Sequence, residues 1–302
     1  MRYKKWLEKQ NFNAKGKTII VTGANSGIGF FATKYFALLG ANVIMACRNP
    51  QKAEKAKRQI ECEIPNSKLY FEQVDLASKS SINVFAEQIK NKYGEIDILI
   101  NNAGVYMPSQ ETTTDGFDMT IGTNFVGTCF LTECLKPLLK YGSRIVFTTS
   151  IVDNLYRLNR RNPILSGEKS KYKSYKKSKF LISCYAQTLK NDVLVTEKNI
   201  TIISAHPGIT STDLFSSKKT TFSKVFSAIA KGFLKVFTHS PEKASLTLVY
   251  GALKPSFKNT RITPRGLFSI SGLPTERNHP HVVMKKHRFI NNKVKEEFFN
   301  AK

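Results

Sequence analysis

Tyr175 and Lys179 stand four residues apart in Tyr175-Lys-Lys-Ser-Lys179, and residues four apart share one face of a helix. A lysine ammonium close to a tyrosine hydroxyl favours the phenolate and lowers its pKa. A tyrosine so tuned can pass a proton to or from a substrate oxygen near neutral pH. Tyr-x-x-x-Lys occurs on many exposed helices, so its meaning rests on location. Ser150 falls just past the fifth apolar strand-like run, and Asn124 lies within a helical stretch. All four side chains could therefore converge on one cleft at the carboxyl edge of a sheet.

A second chemistry-bearing segment is Thr18-Ile-Ile-Val-Thr22-Gly23-Ala-Asn25-Ser26-Gly27-Ile28-Gly29-Phe30. An apolar run from Thr18 to Val21 reads as a buried parallel strand. It breaks into three glycines and resumes as a helical pattern through Phe30, Phe31, Tyr35, Phe36 and Leu39. Strand, glycine turn and helix start gather unpaired backbone N–H groups and a positive helix end at one point, which suits a pyrophosphate. In such turns one glycine makes the sharp bend, one admits the cofactor and one allows helix–strand contact. The spacing is Gly23-x-x-x-Gly27-x-Gly29, not the commoner G-x-G-x-x-G.

The second strand-like run ends at Ala46-Cys47-Arg48-Asn49. In a dinucleotide fold that end lies beside the adenosine ribose, where a carboxylate would bind the 2′-hydroxyl and an arginine accommodates a 2′-phosphate. Arg48 stands there, with no carboxylate until Glu54, and a guanidinium suits bidentate phosphate contacts. NADP(H) is therefore expected over NAD(H), and Asn25 could assist. Asp75-Leu76, at the end of the third run, could set a carboxylate near the adenine amino group. Asp75 could equally cap a helix, with Ser78 competing for that role.

These residues need a scaffold. Strand-like runs recur at Thr18–Val21, Asn42–Ala46, Lys68–Val74, Ile96–Ile100, Arg144–Thr148 and Ile200–Ala205. Helical patterns fall between them at Gln51 to Glu61, Ser80 to Tyr93, Phe117 to Tyr141 and Tyr175 to Leu194. Such alternation predicts an α/β fold: a doubly wound parallel sheet with helices on both faces and its ligand cleft at the carboxyl ends of the strands. No repeat or linker divides the 302 residues, so one domain is expected, with residues 16–214 as core and 215–302 as lid and C-terminal extension. Phe222, Val225, Phe226, Ile229, Phe233, Val236 and Phe237 follow helical spacing and predict a lid helix over the cleft; a basic amphipathic helix on a membrane is the alternative. Beyond Lys254 the chain reads as loop-rich and basic, with no assignable chemistry.

The net charge of +25 admits nucleic acid, anionic membranes and anionic small molecules as partners. The charge is spread along the chain without the spacing of a base reader, so no specific nucleic-acid partner is expected. The five cysteines lack C-x-x-C spacing and read as reduced core residues of a cytosolic protein, with no metal site. No secretory signal is readable and no run approaches the roughly 18 apolar residues of a membrane span. A cytoplasmic protein is expected, with peripheral membrane contact open.

Together the motifs resemble the short-chain dehydrogenase/reductase family. Thr22 to Gly29 matches its cofactor motif, and Asn101-Asn102-Ala103-Gly104 is similar to its motif after the fourth strand. Thr123-Asn124-Phe-Val-Gly127, Ser150 and Tyr175/Lys179 match its catalytic tetrad in order, and His206-Pro207-Gly208 with Thr212 is similar to the segment packing against the nicotinamide. The Ala-Cys-Arg-Asn segment and His-Pro-Gly resemble the retinol-dehydrogenase-like and protochlorophyllide-reductase-like branch, which favours NADPH. The resemblance implies a Rossmann-type sheet and cofactor contacts from Gly23, Asn25, Ser26, Gly27, Ile28, Gly29, Arg48, Asp75, Leu76, Asn102, Ala103, Gly104, Tyr175, Lys179, Pro207, Gly208 and Thr212. It implies hydride exchange with a carbonyl or alcohol: Ser150 bonds the substrate oxygen, Tyr175 transfers the proton, Lys179 holds the ribose and Asn124 positions a relay water. Many relatives are dimers or tetramers, so a homo-oligomer is a further expectation. An intact tetrad weighs against the other reading, a regulatory NADP(H) sensor that needs no proton-transfer group. Two departures stand out: Thr148-Thr149 before Ser150, and Lys176-Lys177 inside the Tyr/Lys motif, which would depress the tyrosine pKa further. Phenylalanines after Leu214 suggest an apolar substrate.

Overall fold

The apolar runs emerge as strands and the periodic segments between them as helices. The computed structural model describes residues 2–158, 163–208, 240–266 and 269–300. In chain order these give α1 (Lys4–Lys9), β1 (Thr18–Thr22), α2 (Gly27–Leu38), β2 (Asn42–Cys47), α3 (Pro50–Glu63), β3 (Lys68–Gln73), α4 (Lys79–Tyr93) and β4 (Ile96–Asn101). There follow α5 (Met119–Ile121), a π turn (Gly122–Gly127), α6 (Thr128–Leu135), β5 (Leu139–Thr148), α7 (Lys171–Leu189), α8 (Val193–Glu197) and β6 (Thr201–Ala205). The last elements are α9 (Pro241–Leu253), β7 (Arg261–Pro264), β8 (Pro274–Arg277) and α10 (His281–Asn300).

The strands form one sheet in the order β3-β2-β1-β4-β5-β6-β7-β8. All pairs are parallel except β7 with β8. Winding reverses between β1 and β4, and at such a reversal the crossovers leave in opposite directions and open a crevice at the carboxyl ends. Period-2 alternation divides the core. Ile19, Val21, Val43 and Met45 pack with α1, α2, α3 and α9, whereas Ile20, Ile44, Leu99, Ile145 and Ile202 pack with α4, α6, α7 and α10. Both faces are covered, which accounts for the near-continuous apolar composition of the central strands. Local signals set the helix ends: Asn49 caps α3 with Pro50 behind it, Ser78 caps α4, and Gly94 at φ +67° stops it.

The fold differs from the sequence expectation in three places. The stretch Phe117 to Tyr141 is not one helix. Asp118 caps α5, a π turn follows, α6 ends at Leu135, and residues 139–141 already belong to β5. The break follows from close packing, because a Cβ on Gly127 would overlap the Leu76 carbonyl oxygen and one on Gly122 would overlap Thr113. Second, α7 begins at Lys171, so Tyr175 lies a full turn inside the helix instead of at its start. Third, the region beyond Lys254 is not loop-rich: β7 and β8 extend the sheet and α10 packs on α7. The expected lid helix over Phe222 to Phe237 lies outside the described residues. Among the described residues no helix is long and apolar enough to cross a membrane. Cys47, Cys129 and Cys184 are buried, Cys134 is partly buried, Cys62 is exposed, and none is disulfide-bonded.

The Gly127 contact gives a stability prediction. Gly127→Ala must push the π turn away from the β3–α4 connection, and overpacking of this kind costs about 1–3 kcal/mol. Thermal unfolding of the variant should have a midpoint at least about 2 °C below wild type. An unchanged midpoint would show that the contact is soft.

Candidate active site

At the winding reversal the carboxyl ends of β1 and β4 diverge, and their backbone groups need partners. The Thr22 hydroxyl supplies them: Oγ1 accepts from the N–H groups of Asn102 and Ala103, both at 2.9 Å, and donates to the Ile100 carbonyl at 3.2 Å. Asn102 Nδ2 donates back to the Thr22 carbonyl at 2.9 Å. Gly23, at φ +66°, lies so close that a Cβ would come within 3.1 Å of the Ala103 Cα. A Cβ on Gly29 would overlap the Gly23 carbonyl oxygen. These positions admit only glycine, and they clear the space in front of the first turn of α2. Ser26 is the N-cap residue there, and its side chain caps nothing. The first N–H groups of α2 thus remain available beside Gly27 and Ile28, and this cradle suits the pyrophosphate of a dinucleotide.

Arg48 follows β2 with its side chain 62% exposed, and its Nη1 lies 4.0 Å from Asp75 Oδ2. An exposed pair at that separation holds the guanidinium only loosely. Its carbonyl accepts from Gln73 Nε2 at 3.1 Å, which ties the backbone to the end of β3. Asp75 does not cap α4; its Oδ1 accepts from the Ala77 N–H, and Ser78 is the cap. Leu76 is buried against the π turn.

Asn124 is carried by the π turn and buried. Its Oδ1 accepts from Val105 N–H at 2.7 Å, and its Nδ2 donates to the Val105 carbonyl at 2.9 Å and to Ser178 Oγ at 3.1 Å. Both amide hydrogens are thereby engaged, so a water held by this side chain would have to donate to Oδ1. Ser178 Oγ in turn donates to the Tyr175 carbonyl at 2.8 Å. Ser150 follows β5, its hydroxyl beside the Tyr175 phenol and accepting from the Val152 N–H at 3.5 Å. The Tyr106 ring stands edge-on to that of Tyr175, centroids 4.9 Å apart. Lys179, only 7% exposed, donates from Nζ to the Thr148 carbonyl at 2.9 Å and lies 5.9 Å from the Tyr175 ring centroid. A Cβ on Gly104 would come within 3.1 Å of Asn124 Oδ1 and 3.8 Å of Lys179 Nζ, so Gly104 leaves room for both. The four tetrad candidates do meet on one sheet edge.

The electrostatics correct one expectation. Tyr175 is pushed up to about 12, not down: desolvation dominates, and the Ser150 hydrogen bond opposes it. Lys179 is itself pushed down to about 8 by burial, with the Asp153 carboxylate opposing. The extra lysines do not act on the phenol as expected either. Lys176 lies over the Tyr172 ring, and the buried Lys177 holds the β5–α7 connection through the carbonyls of Pro163 (3.0 Å) and Ser166 (2.8 Å).

Sequence reasoning missed several contributors. Thr22 organises the switch point, Ser178 links Asn124 to Tyr175, and Asp153 is a buried carboxylate held by Ser183 Oγ at 2.8 Å and paired with Arg261 at 3.3 Å. None carries a spacing signal; only Thr22, as the last residue before the glycine turn, was legible as special. His206, Pro207 and Gly208 follow β6, with His206 buried and its Nδ1 accepting from Gly208 N–H at 3.2 Å. Thr212 lies outside the described residues. Among the described residues no group of three or more His, Cys, Asp or Glu side chains could hold a metal.

The burial of Lys179 is open to measurement. In 13C-lysine-labelled protein, the Cε resonances of Lys179 and Lys190 should titrate near pH 8, both lowered to about 8 by desolvation. Lys179→Arg should remove one of them. Collective titration of every lysine near the ordinary 10.5 would contradict the buried environment.

The sequence matches the family described as short chain dehydrogenase over residues 17–222. It is 35% identical over 266 residues to retinol dehydrogenase 11 of Mus musculus, covering 87% of this chain and 78% of that protein. To polyprenol dehydrogenase of Homo sapiens it is 32% identical over 251 residues, covering 80% and 74%. An uncharacterized protein from Mycobacterium paratuberculosis superimposes with a TM-score of 0.72 at 24% identity, covering 94% of this chain and 95% of that one. A short chain dehydrogenase/reductase from Burkholderia phymatum, solved in complex with NAD, superimposes with a TM-score of 0.59 at 17% identity, covering 79% and 86%. The family match runs from β1 past Gly208 and takes in every side chain gathered at the sheet edge: this chain belongs to the short-chain dehydrogenase/reductase family, in its retinol-dehydrogenase-like branch.

Proposed function

We infer that the chain transfers hydride between NADP(H) and a carbonyl or alcohol of a lipophilic small molecule, with Tyr175 as the proton-transfer group. The observation carrying this reading is the meeting of Ser150, Tyr175 and Lys179 beside a glycine-lined dinucleotide cradle. When bound, the nicotinamide supplies the hydride and the protein supplies orientation and electrostatics. Tyr175, with its phenol held up near 12, stays protonated at neutral pH and can donate to the oxygen of a carbonyl. Ser150 hydrogen-bonds the same oxygen as charge develops on it. Lys179, fixed at the Thr148 carbonyl, can reach a ribose hydroxyl in the space that Gly104 leaves open.

The lipophilic substrate class rests on the relatives, whose names are those of retinol and polyprenol dehydrogenases. The 2′-phosphate reading rests on Arg48, an exposed guanidinium at the end of β2 tied only loosely to Asp75. The two assignments are tested separately. Tyr175→Phe should lower kcat for NADPH-dependent reduction of lipophilic aldehydes by about 10²–10⁴ while NADPH affinity stays within about threefold. Turnover near wild type would remove Tyr175 from the proton step. Arg48→Asp should shift the kcat/KM preference from NADPH toward NADH by about tenfold or more, the scale of one lost charge-assisted contact. An unchanged ratio would place the 2′-phosphate elsewhere.

A further inference from the structure

We propose that the carboxyl end of the β6–β7–β8 segment is an anion subsite, taking a carboxylate or phosphate group beside the reaction cleft. A cavity of about 460 Å³ opens there, and its lining includes Ile151, His206, Arg261, Thr263, Arg277 and Asn278. Strand register makes it electropositive. β7 and β8 are antiparallel, with Arg261 directly opposite Arg277. Side chains of directly opposed residues share one face, and like charges placed so repel each other. Asp153, 1% exposed, neutralises only the inner member, Arg261. Arg277 is exposed, and among the described residues no carboxylate pairs with it. Its sequence neighbour Glu276 faces the other side of the strand and is taken by Lys254 and by the N–H groups of Lys258 and Asn259. One guanidinium charge is left facing a cavity whose lining, among the described residues, contains no acid.

The remaining lining adds polar side chains. His206 Nδ1 accepts the Gly208 N–H at 3.2 Å. Arg261 Nη1 bonds the Asn278 carbonyl at 3.5 Å, and Thr263 lies on the same face as the two arginines, its hydroxyl donating to the Pro264 carbonyl at 3.3 Å and accepting from Ser269 Oγ at 3.3 Å. The exposed Arg277 guanidinium presents a fork that matches the oxygens of a carboxylate or phosphate. The phosphates of a dinucleotide lie elsewhere: the cradle at the start of α2 follows β1, four strand spacings from β7, or roughly 19 Å at about 4.8 Å each. Arg48 follows β2, five strand spacings from β7, or roughly 24 Å at about 4.8 Å each. The subsite instead adjoins the chemistry: Ile151 follows Ser150, and His206 precedes Pro207 and Gly208. A substrate with its carbonyl at Tyr175 could therefore place an acidic group in this cavity. That substrate assignment rests on the oxidoreductase reading above; anion binding does not.

The same chemistry could come from the substrate or from a free anion, and two arms separate them. Full-length wild type, Arg277→Gln and Arg277→Lys are compared; Arg277 is exposed, so its replacement leaves the core intact. In the first arm, inorganic phosphate is titrated by calorimetry at constant ionic strength. Saturable binding is expected for wild type and Arg277→Lys, weakened about tenfold or more in Arg277→Gln. In the second, NADPH-dependent reduction is measured on a long-chain ω-carboxy aldehyde and its methyl ester. If the anion belongs to the substrate, Arg277→Gln raises KM for the acid about tenfold, with kcat and the ester unaffected. Phosphate binding that depends on Arg277 without acid–ester discrimination assigns the subsite to a free anion. If Arg277→Gln matches wild type in both arms, the subsite does not exist. Should no aldehyde be reduced by any variant, the oxidoreductase reading fails and the phosphate arm alone decides the subsite.

Discussion

The structure depends on how the parting ends of β1 and β4 are held together. Where a parallel sheet reverses its winding, neighbouring strands diverge and their terminal backbone groups lose ladder partners. One hydroxyl, Thr22 Oγ1, makes three hydrogen bonds there, and the Asn102 amide closes a fourth. The chain can then run Gly23 against Ala103 and Gly29 against Gly23 with no side chain between them. The same junction continues into the chemistry. Past Ala103, Gly104 makes room for Asn124 Oδ1, Val105 exchanges two hydrogen bonds with the Asn124 amide, Asn124 donates to Ser178, and Ser178 donates to the Tyr175 carbonyl. An unbroken series of backbone and amide contacts thus links the phosphate cradle to the backbone of the proton-transfer residue. Its links are buried or part-buried, where an unpaired polar group is costly, so the series resists partial rearrangement. Cofactor and proton donor are positioned by one polar framework.

Within that framework the two ionisable side chains are tuned by desolvation more than by each other. Lys179 reaches the Thr148 carbonyl from inside the fold, and among the described residues no carboxylate pairs with its ammonium; Asp153 acts on it only as a distant charge. Tyr175 stands beside Tyr106 and under Ser150 in surroundings that disfavour the phenolate. A tyrosine–lysine pair read from sequence suggests mutual charge stabilisation. In the folded chain both members are shifted toward their neutral forms, which places the lysine close to physiological pH and leaves the phenol a reservoir of protons.

What could be read from the sequence was what depends on local pattern. The glycine turn and the alternation of strands and helices follow from periodicity and spacing, and the sheet has the winding they imply; the order Asn124, Ser150, Tyr175, Lys179 was legible only through the family resemblance. The failures have physical causes. Phe117 to Tyr141 keeps an apolar helical period throughout, but its course is set by backbone contact of Gly127 with Leu76, a tertiary constraint invisible to periodicity. β7 and β8 are four residues each and only become strands by pairing with β6 and with one another. Lys177 looked like a modifier of Tyr175 because it is two residues away. It points instead to the carbonyls of Pro163 and Ser166, since residues two apart in a helix do not share a face.

The large positive charge also has a structural logic, because acids are scarce and most buried bases have claimed one. Lys34 is paired with Glu63, Lys136 with Glu133 and Asp192, Lys177 with Glu168, Lys254 with Glu276 and Arg261 with Asp153. Such pairs offset the desolvation of the base, which an unpaired ammonium would otherwise bear in full. Lys179, Lys190 and Arg144 contrast with these, each bonded to neutral oxygens and each lowered by desolvation, the two lysines to about 8. With 22 acids against 47 bases, carboxylates committed to interior pairs are lost to the surface, and the excess cations are left facing solvent. The net charge therefore lies on the solvent-facing surface. Clefts lined by uncompensated cations raise the local concentration of anions, so a dinucleotide phosphate at Arg48 and an acidic group at Arg277 would be drawn in by one and the same imbalance.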